Sequence, residues 1–141
     1  TLNRGRLNND LIGTFCVMTL WFILNLQKNF YMTNVISETY QKIYEIVKMI
    51  PEGKVSTYGL IAQKIGAKFS ARVVGYALNH SHLLDDIPAH RVVNRNGLLT
   101  GKHHFNPPSL MQKLLENEGL IIQNDQIIDF KKHLWNPNEI H

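Results

Sequence analysis

Residues 56–79 read STYGLIAQKIGAKFSARVVGYALN, and the architecture turns on how this stretch is understood. Ser56 is a cap-type residue before a short apolar-periodic segment, so a helix is expected from Thr57 to Ile65 with Leu60, Ile61 and Ile65 inward. Gly66 is suited to a left-handed stop. Ala67-Lys68-Phe69 makes a tight turn, and Ser70 is placed to cap a further helix from Ala71 to about Asn79. Two short helices joined by a few residues, the second rich in small and basic residues, match a helix-turn-helix. Any pair of short helices gives that pattern, so the flanking sequence carries the weight.

Upstream, Ile36, Tyr40, Ile43, Val47 and Ile50 fall on one face of a helix expected over Val35 to Ile50. Thr33 or Asn34 would cap it, and Pro51-Glu52-Gly53 would end it. Lys54-Val55 is a short extended link. Downstream of a polar loop lies Pro88-Ala89-His90-Arg91. Two short apolar runs follow, Arg91–Asn94 and Leu98–Thr100, with Asn96-Gly97 between them, a strong hairpin signal. A helix-turn-helix followed by a hairpin is a winged-helix arrangement: mostly α, with a small β hairpin component. Pro107-Pro108 breaks the chain, and Ser109 with Gln112 resembles a capping box for a helix to Asn117 or Glu118 that stops at Gly119. Leu120–Ile122 and Gln126–Ile128, turned at Asn124-Asp125, predict a second hairpin. Phe130 to Trp135 is expected to close over the core.

The chain has 141 residues with net charge +4, 44% hydrophobic and 18% charged residues, which describes one globular domain with a core of its own. From Lys42 to Lys102 nine Lys/Arg face four Asp/Glu, and from His103 onward three face five. A basic middle and an acidic tail point to a polyanion partner, with ordinary solubilising charge as the plainer reading. Cys16 is the sole cysteine. An internal disulfide, a cysteine-based metal site and a redox pair are thereby excluded, and a reducing, cytoplasmic setting is expected. His80, His82, His103 and His104 lack ligand spacing, so no metal and no cofactor are expected.

Leu11–Leu26 reads LIGTFCVMTLWFILNL. At 16 residues this apolar run is shorter than the about 20 that span a bilayer. Arg4 and Arg6 precede it as in a signal peptide, but no small-x-small cleavage site follows. Residues 1–31 are therefore read as an apolar leader upstream of a start at Met32, with a membrane anchor or an extra packed helix as alternatives. Residues 32–135 form the functional domain in this reading, and 136–141 a tail.

Lys54-Val55-Ser56-Thr57-Tyr58, Ser70-Ala71-Arg72-Val73-Val74-Gly75-Tyr76-Ala77-Leu78-Asn79 and Pro88-Ala89-His90-Arg91-Val92, in this order and spacing, resemble the C-terminal DNA-binding domain of the O6-alkylguanine-DNA alkyltransferases. Within that family the chain is most similar to the alkyltransferase-like proteins, which lack the acceptor cysteine. The likeness runs from about Met32 to Trp135. Ala89 stands where the enzymes carry the cysteine and where many alkyltransferase-like proteins carry Trp.

The resemblance implies that Arg72 enters the duplex from the minor groove and fills the space of a flipped-out nucleotide, a role a planar guanidinium suits. It implies that Tyr58 crowds the 3′ phosphate of the target nucleotide. Ser70 and the start of its helix are placed to meet a phosphate. Ala71, Gly75 and Ala77 are small, which serves close approach to a groove or close helix packing equally. Asn79, His90 and Glu118 match the relay that braces the site turn and draws the proton from the thiol in the enzymes; beside Ala89 they would hold only the pocket's shape. Tyr58, Pro88, Ala89, His90, Arg91, Thr100, Gly101 and Lys102 are expected to line the lesion pocket, with Lys102 either touching the lesion's phosphate or facing solvent.

Alkyl transfer needs a thiolate, which Ala89 cannot supply. The expectation is thus a monomeric, non-enzymatic sensor of O6-alkylguanine in duplex DNA that flips the base and marks it for nucleotide excision repair proteins, with no membrane partner. The alternatives are a winged-helix transcription regulator without lesion preference and an interaction remnant without DNA affinity. Scarcity of base-reading side chains on the helix from Ala71 argues against the regulator.

Overall fold

The computed structural model of the chain describes residues 4–66, 68–81, 84 and 86–139, with side chains from Cys16 onward. Ala67 and His82, used above, lie outside the described residues, as do the ends of the expected leader and tail. The chain divides into two compact units, Thr1–Glu38 and Thr39–His141. In chain order the elements are α1 (Arg4–Lys48), β1 (Ser56–Thr57), α2 (Tyr58–Ile65), α3 (Ala71–His80), β2 (Val92–Val93), α4 (Ser109–Asn117), β3 (Ile122–Gln123), β4 (Gln126–Ile127) and α5 (Phe130–His133). Single 3-10 turns cover Ala89–Arg91, Thr100–His104 and Pro137–Glu139. The fold is mostly helical, and α2 and α3 form the helix-turn-helix.

In the first unit the apolar side chains Val17, Met18, Leu20, Trp21, Phe22 and Leu24 are exposed. Among the described residues, no helix is long and apolar enough to cross a membrane. The expected helix start at Val35 is not seen, because α1 is already helical there. Thr33 does not cap it; its Oγ1 donates to Asn29 O four residues back, at 2.8 Å, within an unbroken helix.

In the second unit the apolar stripe of α1 behaves as its spacing requires. Ile43, Val47 and Ile50 are buried, and they pack with Ile61 and Ala62 of α2 and with Val74, Ala77 and Leu78 of α3. Ile36, assigned to the same stripe, is exposed, since it falls before Thr39, where this unit begins. A second cluster joins Val55, Val93, Leu99, Met111, Leu115, Leu120, Ile122 and Ile127. Strand β2 serves both. Val92 belongs to the first cluster and Val93 to the second, because successive side chains of a strand point to opposite faces.

That demand corrects the first expected hairpin. Val92–Val93 does not pair with Leu98–Thr100; it pairs in parallel with β1, Ser56 opposite Val92 and Thr57 opposite Val93. Leu98 bridges to Gln126 instead. The intervening residues form a turn held by Asn94, whose Oδ1 accepts from Asn96 N and Leu98 N, each at 2.9 Å. Gly97 sits at φ +76°, and a Cβ there would meet the Phe130 ring at 2.8 Å, so both backbone and neighbour require glycine. The second hairpin forms as expected: β3 and β4 are antiparallel, and Asn124 and Asp125 carry the positive φ values, 51° and 61°, of a type I′ turn.

Three cap assignments also shift. Ser56 is taken up by β1, so Thr57 caps α2, its Oγ1 accepting from Leu60 N at 3.2 Å. Ser70 holds α3 through its carbonyl, which accepts from Val73 N at 3.0 Å, rather than through its hydroxyl. Ser109 is already helical behind Pro108, and Gln112 bonds Glu116 at 2.7 Å. Trp135 packs on the first cluster, its N–H donating to Val55 O at 2.7 Å. The packed chain runs on to Pro137, which is buried, and to Asn138, which donates to Leu60 O.

Candidate nucleic-acid interface

Ala89 starts the 3-10 turn Ala89–Arg91, which Arg91 N closes on Pro88 O at 3.0 Å. The turn faces Glu118, the residue just past the end of α4. His90 Nε2 donates to Glu118 Oε1 at 2.6 Å. Arg91 Nε donates to Oε1 and Oε2 at 3.0 and 3.1 Å, and its Nη2 to Oε1 at 2.9 Å. Gly53 N donates to Oε2 at 3.1 Å, and Arg91 Nη1 reaches back to Ile50 O at 2.9 Å. Only 9% of the Glu118 side chain is exposed. Burial alone would raise its pKa, but the bonds from Arg91, His90 and Gly53 outweigh burial and hold the carboxyl below its ordinary range. Glu118 is therefore a carboxylate whose acceptors are filled, well suited to hold a turn. Arg91 lines the cleft beside Ala89, and its guanidinium is committed to Glu118 and Ile50, which makes it a brace.

Ala89 borders two clefts. One, of about 650 Å³, is lined by Lys48, Pro88, His90 and Arg91 among others. The other, of about 500 Å³, is lined by Leu78, Asn79, Ser81, His104 and Phe105 among others. Asn79 thus comes to the site turn by shared lining; among the described residues it makes no hydrogen bond to that turn. The buried polar group at this end of α3 is Ser81, whose Oγ donates to Leu78 O at 2.6 Å. Neither Ser81 nor Gly53 stands out in the sequence as part of the site. Gly53 reads only as a helix stop, and nothing in its local sequence announces Glu118, just past α4, as a partner.

At the other end of α3, Ser70, Ala71 and Arg72 are exposed. The small residues divide between the two readings. Ala77 is buried in the first cluster, whereas a Cβ built on Gly75 meets nothing within 4 Å. Tyr58 begins α2 and is largely buried. Burial pushes its phenol pKa up, partly opposed by the Thr100 side chain. Lys102 pairs with Asp125 at 2.5 Å, so its ammonium is engaged by the β3–β4 turn. Among the described residues, no group of three His, Cys, Asp or Glu is placed to hold a metal.

The family described as 6-O-methylguanine DNA methyltransferase, DNA binding domain, matches residues 38–120. The chain belongs to this family. A relative in the methyltransferase DNA-binding-domain family, Alkyltransferase-like protein 1 of Schizosaccharomyces pombe, is 36% identical over 104 residues, covering 71% of this chain and 96% of the relative. The DNA base-flipping protein of Escherichia coli is 36% identical over 98 residues, covering 68% and 73%. The crystal structure of S. pombe Atl1 in complex with damaged DNA containing O6-carboxymethylguanine superposes with a TM-score of 0.64 at 34% identity, covering 72% of this chain and 97% of that one. In this member of the family, position 89 is alanine, and the single cysteine, Cys16, is exposed on α1.

Proposed function

We propose that this chain recognises O6-alkylguanine in duplex DNA by minor-groove binding and base flipping, without removing the alkyl group. The observation that carries this reading is the intact His90–Glu118–Arg91 support around a residue with no nucleophile, Ala89. Alkyl transfer would break the O6–carbon bond and form a sulfur–carbon bond, and the site turn offers no sulfur. The function is assigned to residues 32–135, which act as a monomer on double-stranded DNA. Arg72 is the proposed finger and Tyr58 the proposed phosphate contact. Flipping costs a few kcal/mol, and less where the alkyl group has weakened the base pair, which itself favours damaged bases. A bound, unrepaired lesion then serves as a mark for nucleotide excision repair proteins.

Incubation of the protein with an O6-methylguanine duplex is expected to give a tight complex and full retention of the methyl group on the DNA. Methyl transfer to the protein overturns the reading. Ala89→Cys extends the test: slow methyl acceptance shows that the turn still presents residue 89 to the lesion.

A further inference from the structure

The hydroxyl of Tyr58 is held from outside its own helix. A Cβ built on Gly101 would lie 2.7 Å from that oxygen, so the phenol rests against the bare backbone of the glycine. Gly101 is buried and is not at positive φ. Its backbone would tolerate alanine, but the Tyr58 hydroxyl would have to shift to admit it.

The turn carrying Gly101 is gripped on both flanks by Asp125. Leu99 N donates to Asp125 O at 2.8 Å, and Lys102 Nζ donates to Asp125 Oδ2 at 2.5 Å. One flanking bond uses the Asp125 main chain and the other its carboxylate, so residues 99–102 are tied to the tip of the β3–β4 hairpin. Asp125 stands there at φ 61°, a conformation that Asp tolerates better than most residues. Leu99, 2% exposed, anchors the same turn in the second core cluster.

We infer that Gly101 and Asp125 are positioning residues for Tyr58: the hairpin tip fixes the 99–102 turn, and that turn sets where the phenol hydroxyl stands. Its bearing on DNA rests on the reading of Tyr58 as a phosphate contact. Lys102, with its ammonium held by Asp125, serves the seat of Tyr58 rather than the lesion.

The test is a steric cycle read first on the free protein. With tyrosine labelled at Cζ, the Tyr58 resonance is assigned by its loss in Tyr58→Phe. Gly101→Ala is expected to shift that resonance and to bring its alkaline titration toward that of free tyrosine. Lys102→Met, which loosens the turn without adding bulk, is expected to move it the same way. Combining Gly101→Ala with Tyr58→Phe removes the clashing oxygen, so the double variant is expected to melt with Tyr58→Phe alone. On a lesion duplex carrying 2-aminopurine beside the target, Gly101→Ala is expected to lower the flipped fraction about tenfold while affinity for undamaged duplex changes less than about twofold. A Tyr58 resonance unmoved by Gly101→Ala and Lys102→Met, or a Gly101→Ala stability loss that persists beside Phe, overturns the inference. Should the resonance move while flipping is unchanged, the positioning of Tyr58 stands and its reading as a DNA contact falls.

Discussion

Glu118 and Arg72 are both charged, and their surroundings differ sharply. Glu118 is nearly enclosed and accepts from His90, Arg91 and Gly53. Arg72 is exposed near the start of α3 and makes no hydrogen bond or ion pair among the described residues. The enclosed carboxylate has its partners within the fold. The exposed guanidinium presents its donors outward. The contrast separates a residue held inside the fold from one open to solvent, and it orders the effects expected from changing them.

Glu118→Ala would strand Arg91 and His90 in a partly buried site. Removing one member of such a network costs about 3–5 kcal/mol, to be read in the midpoint of chemical denaturation with the slope unchanged. A loss below about 1 kcal/mol would show the network to be dispensable. Arg72→Ala should leave that midpoint where it is and weaken binding to an O6-alkylguanine duplex on the order of 100-fold, since the gap left by a flipped base is worth a few kcal/mol. A gel shift measures it; equal binding by the two proteins would remove Arg72 from the interface. The smallest effect is acid sensitivity. The folded-state pKa of Glu118 lies below its ordinary value of 4.5, so the unfolded chain takes up the proton first. The stabilisation from Glu118 is complete above that value and fades as pH falls through the lower folded one. Glu118→Gln should therefore flatten the acid limb of the stability profile, and an unchanged limb would assign acid sensitivity to other carboxylates.

The same contrast marks what could be read from the chain itself. Helices α2 and α3 were legible because their signals are local: apolar spacing, cap-type residues and Gly66. The β3–β4 turn was legible because Asn124-Asp125 tolerates positive φ. Cap identity slipped by one residue at Ser56-Thr57, where adjacent residues are both good caps and strand pairing decides between them. The parallel pairing of β1 with β2 escaped notice because it joins distant segments and Asn96-Gly97 advertised a nearer partner. Within the site, the resemblance identified His90 and Glu118 together. The commitment of Arg91 to Glu118 and Ile50, and of Lys102 to Asp125, depends on which tips and helix ends meet in three dimensions. Ser70, Ala71 and Arg72 face outward, and their part in binding belongs to the proposed function.

Ala89 also changes how such a protein would be used up. A cysteine acceptor forms a stable thioether, so each molecule acts once and supply must match the number of lesions. Under the proposed function, alanine in the turn leaves no covalent product, and a molecule returns to service when it dissociates. The governing quantity then becomes residence time on the lesion: long enough for a second protein to arrive, short enough to free the site for the next.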